Sequence, residues 1–285
     1  MANDVSSVTI PRTEHDVPRS VARPAKRRFS SSYLQGVRTR AIALSIAIFI
    51  LLISLWYWAA HYEMVSPLIL AHPSDVVSAL YMQFTTGSIW TNLWATVYET
   101  VAGFTAATIT ALVVSFVFAF SPALRMAVYP YLIVIQTFPK VAIAPLIIAA
   151  FGYGITPKIV IAALMAFFPI LVNALVGLTN VSEEHLNLMR IQGASRFQTL
   201  RKLQIPNALS YILPGLKSAA VLSLIGVIVA EFVSSREGLG FAIQASTQAG
   251  TIDVTYALLI ILGAFGLSIS LILAFVTWCL RRYRQ

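Results

Sequence analysis

Charge is scarce in this chain. Asp, Glu, Lys and Arg make up 11% of its 285 residues, against 58% that are hydrophobic. A water-soluble domain carries about 25% charged residues, so there is too little polar surface here to cover a globule in water. Cysteine is scarcer still. Cys279 stands alone, which excludes a disulfide within the chain, and near the end of an apolar block it reads as a small apolar side chain. The histidines, His15, His61, His72 and His185, lie far apart and show no metal-ligand spacing. No Gly-x-x-x-x-Gly-Lys-Ser/Thr run occurs, so the chain is not expected to cradle nucleotide phosphates. No nucleophile–base set or metal-spaced cluster marks a catalytic site, and neither catalysis nor a cofactor is expected.

Acidic residues are also few, 11 against 20 Lys and Arg, giving a net charge of +9. Basic charge on a helix face interleaved with aromatics would suggest nucleic-acid binding. Here the basic residues gather at the ends of apolar blocks and in the first forty residues instead, the pattern of a membrane protein.

What is abundant is long apolar runs. A helix needs about 20 mainly apolar residues to cross the hydrocarbon layer. Blocks near 41–60, 93–120, 126–151, 159–180, 207–232 and 254–280 qualify, and in lipid each must satisfy its backbone internally as a helix. An all-α membrane protein with about six spans is expected over 41–285, preceded by a basic, disordered tail over 1–40. Lys26-Arg27-Arg28-Phe29 has a twin-arginine flavour, but the next apolar block is too long and lacks a small-residue cleavage site. The loops on the tail's side carry Arg125, Arg190, Arg196, Arg201, Lys202, Arg281, Arg282 and Arg284; the opposite loops carry Lys158 and Arg236. The asymmetry puts both termini in the cytoplasm. A short helix from Ser74 or Asp75 to Phe84 is expected in the long opposite loop, and Gly238-Leu239-Gly240 marks a turn.

The loop 181–206 is the longest on the cytoplasmic side. Ser182 fits an N-cap, with Glu183 and Glu184 in the first turn and Arg201 and Lys202 near the far end. Leu186 with Met189, and Phe197 with Leu200, are spaced to share faces. Gly193 permits a sharp bend between two short helices. Either a compact knob or an ordinary amphipathic interfacial loop would fit.

Gly193-Ala194-Ser195-Arg196-Phe197, followed by Leu203-Gln204-Ile205-Pro206 and Asn207-Ala208-Leu209, resembles the cytoplasmic loop motif of binding-protein-dependent ABC importer permeases. Where that motif opens with Glu-Ala-Ala, this chain has Asn187-Leu188-Met189. Gln136-Thr137-Phe138-Pro139-Lys140-Val141-Ala142, Phe168-Pro169-Ile170, and Ala230-Glu231-Phe232 ahead of Gly238-Leu239-Gly240 resemble the nitrate, sulfonate and taurine branch, which also includes vitamin-precursor permeases. The resemblance implies a type I importer transmembrane fold in a bacterial cytoplasmic (inner) membrane. It implies a second copy of the permease, two ATP-binding subunits and an extracytoplasmic solute-binding protein delivering a small polar or anionic solute. Glu184, Arg190, Gly193, Ala194, Ser195, Phe197, Leu203 and Pro206 would then couple the chain to the ATPase, with Pro206 setting the angle between knob and helix.

Intramembrane charges cost roughly 2.5–3.5 kcal/mol on insertion scales unless paired or wet. Glu99 and Lys140 lie at similar depths in their blocks, within a few ångströms at ~1.5 Å per residue. They are expected to pair or to face a water-filled pathway, and Glu231 to line a gate or sit at headgroup level. A secondary transporter or channel is the rival reading, although no clear internal repeat supports it.

Overall fold

The computed structural model describes residues 31–282, with side chains described from 39 to 279. The basic run Lys26-Arg27-Arg28 and most of the expected tail lie outside these residues. Two compact units divide after Ser54. In the first, the helix α1 (Ser31–His61) already runs, so it starts ten residues ahead of the expected boundary. From Ala41 to Leu55 its apolar residues, among them Leu44, Phe49 and Leu51, are exposed all round, as suits a helix facing lipid.

The second unit, from Leu55 on, holds the remaining helices. They are α2 (Pro73–Thr85), α3 (Ser88–Phe120), α4 (Pro122–Thr137), α5 (Lys140–Phe151), α6 (Ile155–Thr179), α7 (Glu183–Ile191), α8 (Arg196–Thr199), α9 (Ile205–Ser234), α10 (Leu239–Gln248) and α11 (Ile252–Arg282). Among the described residues there is no strand. Five stretches of the described residues are long and apolar enough to cross a membrane, and α4 with α5 makes a sixth that is bent by 94°.

That bend corrects the expectation of a single helix over 126–151. Phe138 precedes Pro139 and takes extended dihedrals, φ −62° and ψ 138°, because the proline ring disfavours the helical region for its predecessor. In α2 the structure departs from the expected cap as well. His72 is the N-cap, Pro73 follows at the first helical position, and Asp75 sits in the first turn, where a proline lacking an N–H costs nothing and an acid suits the helix dipole.

The core is α6 held between α3 and α9. Small residues allow the approach, as is usual where lipid offers no hydrophobic drive. A Cβ at Gly103 of α3 would fall 2.5 Å from the Ala162 Cβ, and one at Gly226 of α9 would fall 2.9 Å from the Ala162 Cα. Both neighbours therefore press on the same alanine of α6. Further along, Ala107, Ala111, Ala166, Ile170, Leu171 and Ala219 continue the seam. Gly226→Leu is expected to cost about 1–3 kcal/mol or more through overpacking. Thermal unfolding and gel filtration in detergent would read this as a lower midpoint and less monodisperse protein, whereas Gly263→Leu, with nothing within 4 Å of its Cβ, should leave both unchanged.

Candidate functional site

Two places concentrate polar or unusual structure, one at each end of the α3–α6–α9 core. The first is the loop 181–206. α7 begins after Ser182, which is extended but caps no backbone N–H with its side chain; the hydroxyl meets His185 Nδ1 instead. Gly193 then adopts φ +68°, a left-handed turn that glycine enters without strain, and its N–H closes onto Arg190 O at 3.0 Å. Ser195 and Gln198 form a reciprocal capping box at the start of α8. Leu200–Gln204 is a π-helical turn that runs on into α9, so 196–234 is one continuous helical stretch of 39 residues.

This revises two expectations. Pro206 does not stand between knob and helix; it lies in the first turn of α9, and the wider turn precedes the residue that cannot donate to a helical ladder. Phe197 and Leu200, three residues apart, do not share an environment either: Leu200 is buried with Ala174, Leu178, Ala208 and Ile212, while Phe197 is 61% exposed. Glu184, Arg190 and Ser195 are exposed, and Ala194, Leu203 and Pro206 are half-buried. Leu188 and Ile191 also show apolar side chains to the outside, Ile191 at 84%. The base of the elbow is pinned by Asn207, whose Nδ2 donates to Gly177 O at 2.9 Å and to Asn180 O at 3.0 Å. Asn207 stood in the motif without an assigned job.

At the opposite end of the core, Glu99 pairs with Lys158 and not with Lys140. The Lys158 Nζ bridges to Glu99 Oε1 and donates to Ser235 Oγ at 3.1 Å. Both partners are buried. Charge counting had assigned Lys158 to a loop; α6 instead starts at Ile155, one turn earlier than the apolar block, and carries the lysine inward. Lys140 sits at the α4–α5 break, donates to Gln136 O at 3.2 Å and lies over the Phe168 ring at 4.9 Å.

Glu231 is fully buried, which removes the headgroup-level reading. Its Oε1 accepts from Thr96 Oγ1 at 2.7 Å and its Oε2 from the Gly240 N–H at 2.6 Å. The Thr96 hydroxyl in turn accepts from the Leu239 N–H at 2.8 Å. The first N–H groups of α10 thus find a carboxylate and a hydroxyl, the arrangement a helix N-terminus favours. Gly238 and Gly240 are more than a turn. A Cβ at Gly238 would lie 2.1 Å from Glu231 Oε1, and one at Gly240 2.8 Å from Oε2. The glycines leave the room that the carboxylate fills.

Beside this cluster opens a cavity of about 1090 Å³ between the ends of α3, α6 and α9, with Glu99, Lys158, Trp94 and Tyr153 in its wall. Among the described residues, no group of three His, Cys, Asp or Glu could hold a metal ion. Breaking a buried ion pair by removing one partner costs about 3–5 kcal/mol. Glu99→Ala and Lys158→Ala should each lower the thermal midpoint in detergent accordingly, and the exchange Glu99→Lys with Lys158→Glu should recover most of the loss. Exchanging Glu99 with Lys140 should rescue nothing.

Comparison with known proteins agrees with this architecture. Residues 103–285 match the family of binding-protein-dependent transport system inner membrane components. The riboflavin transport system permease protein of Chloroflexus aurantiacus is 34% identical over 213 residues, 74% of this chain and 78% of that protein. The formylaminopyrimidine transport permease protein of Halalkalibacterium halodurans is 30% identical over 193 residues, covering 68% and 76%. The taurine transport system permease protein of Escherichia coli is 28% identical over 243 residues, covering 84% and 86%. The chain therefore belongs to the family of inner-membrane permease components of binding-protein-dependent transport systems, and its helices are those of the type I ABC importer transmembrane fold.

Proposed function

We propose that this chain is the transmembrane subunit of an ATP-driven importer for a small solute delivered by a binding protein. The observation that carries the reading is the unbroken helical stretch from the elbow to Glu231. At ~1.5 Å per residue, its 39 residues reach from an exposed apolar knob, Ile191 and Phe197, to the buried charges beside the cavity. A helix is stiff along its axis, so displacement of the knob is felt at the far end. Two ATP-binding subunits would each seat one elbow, and two copies of this chain would enclose the pathway. Closure of the ATPase pair on nucleotide would swing α9 and, through the Asn207 clasp on Gly177 and Asn180, α6 with it.

In this reading the elbow and both termini are cytoplasmic. The cavity then faces the side from which a binding protein delivers, and Glu99 and Glu231 hold the mouth of the pathway. Lys140, beside the α4–α5 break, would lie along it. The named relatives carry riboflavin, formylaminopyrimidine and taurine, so solutes of that size fit the proposal.

Gly193→Pro cannot keep φ +68°, since proline fixes φ near −65°. It should leave membrane insertion intact and weaken coupling by roughly 5–150-fold, read as uptake in proteoliposomes with the ATPase subunit and ATP. Normal uptake by this variant, or uptake without any ATPase, would overturn the reading in favour of a secondary transporter. For orientation, Ile191→Cys in a Cys279→Ser background should react with a membrane-impermeant maleimide only from the cytoplasmic face.

A further inference from the structure

Helix α2 carries three unlike stripes along its short length. At about 3.6 residues per turn, Val76, Ala79, Leu80 and Gln83 form the first, Val76 and Ala79 buried and the other two half-buried. Val77, Tyr81 and Phe84 form the second, which is apolar and exposed, Val77 at 65% and Tyr81 at 71%. Ser74, Ser78 and Thr85 form the third, also exposed, with Asp75 and Met82 beyond it. The ring of Phe84 meets that of Trp90 edge-on at 5.7 Å.

What α2 packs on sets its depth. Val76 and Ala79 cluster with Ala71 and Ala257, with Ile252, Val254 and Tyr256 alongside, so α2 lies against the first two turns of α11. Just past its other end α3 begins, at Ser88. Two spans therefore end at its level. Aromatic residues mark the same level. Trp56 stacks on Tyr256. Its Nε1 donates to Ala71 O at 3.0 Å, and the Tyr256 hydroxyl donates to Ile69 O at 3.2 Å. Trp and Tyr collect where hydrocarbon meets headgroups. An exposed side chain at that boundary meets either lipid or water, and α2 presents an apolar stripe beside a polar one.

We propose that α2 is an in-plane lipid anchor, with the Val77–Tyr81–Phe84 stripe embedded at the boundary of acyl chains and headgroups and the Ser74–Ser78–Thr85 stripe in water. Interfacial helices are commonly rich in Lys and Arg on their polar face. Between Pro73 and Thr85 there is neither, and Asp75 is the sole charge. The attachment is therefore apolar and does not call for anionic lipid. The lipid contact is independent of the importer reading, which supplies only the name of the leaflet, the outer one.

The test is spin-label accessibility in the full chain in lipid nanodiscs. Val77→Cys, Tyr81→Cys, Ser74→Cys and Ser78→Cys, each in a Cys279→Ser background, replace exposed side chains and accept a nitroxide without disturbing the buried stripe. Collisions with oxygen, which concentrates in lipid, should exceed those with a water-soluble nickel chelate at 77 and 81, and the order should reverse at 74 and 78. The pattern should be the same in phosphatidylcholine discs and in discs that also contain phosphatidylglycerol. Equal oxygen-to-nickel ratios at all four positions would overturn the proposal, since the whole helix would then lie in one phase. Protection of 77 and 81 from both reagents would overturn it in favour of a protein partner or a second copy on that stripe. A lipid signature confined to the anionic discs would overturn the apolar attachment.

Discussion

A hydrocarbon interior supplies no partner to a polar group, and that constraint organises this molecule. Glu99, Lys158 and Glu231 are buried within helices that are otherwise apolar, so each must find its counterpart in protein. The partners come from separate helices, α3, α6, α9 and the start of α10, and bringing them together fixes how the ends of those helices meet. The small residues around Ala162 let the same three long helices close up below that cluster. Charge pairing at one level and close backbone contact at the next are two solutions to a single problem, the absence of water as either solvent or driving force.

The elbow obeys the opposite condition. It projects apolar side chains, Ile191 and Phe197, where they are uncovered, while its base is tied to α6 and α9 by Asn207. A segment firmly held at its root and unsatisfied at its tip is suited to transmit force to whatever covers the tip. The α8 helix and the π turn at Leu200–Gln204 join tip to root, with Leu200 in the core and Phe197 exposed. Helical continuity through Pro206 makes the junction a shaft, where an angle set by Pro206 had been expected.

The spans were legible because lipid demands long apolar runs, and hydropathy alone located six blocks, of which five are single helical stretches and the sixth is the bent α4–α5 pair. Gly193 was legible because a positive φ in the middle of a polar loop calls for glycine. The 94° break at Phe138-Pro139 was announced by its proline, yet proline is tolerated inside other helices here, at Pro169 and Pro214 for instance, so its presence alone did not decide the outcome. Lys158 was misplaced because counting charges by loop assumes that a lysine near a block's edge is wet. The signal against that was Pro157 just before it, a residue suited to a helix's first turn. The partner choice of Glu99 was out of reach, because depth along a helix says nothing about which face a neighbour presents. The same limit hid the link between Glu231 and the two glycines, which are close only once α10 folds back.

That link constrains its three positions unequally in inheritance. Gly238 is restricted by the Glu231 carboxylate and by its φ of +113°, and Gly240 by that carboxylate, by the Glu231 Cβ and by the Ile228 carbonyl, each within 2.9 Å of where a Cβ would stand. A lineage that shortened Glu231 would therefore free neither glycine. Across related chains, both glycines should outlast a change at position 231.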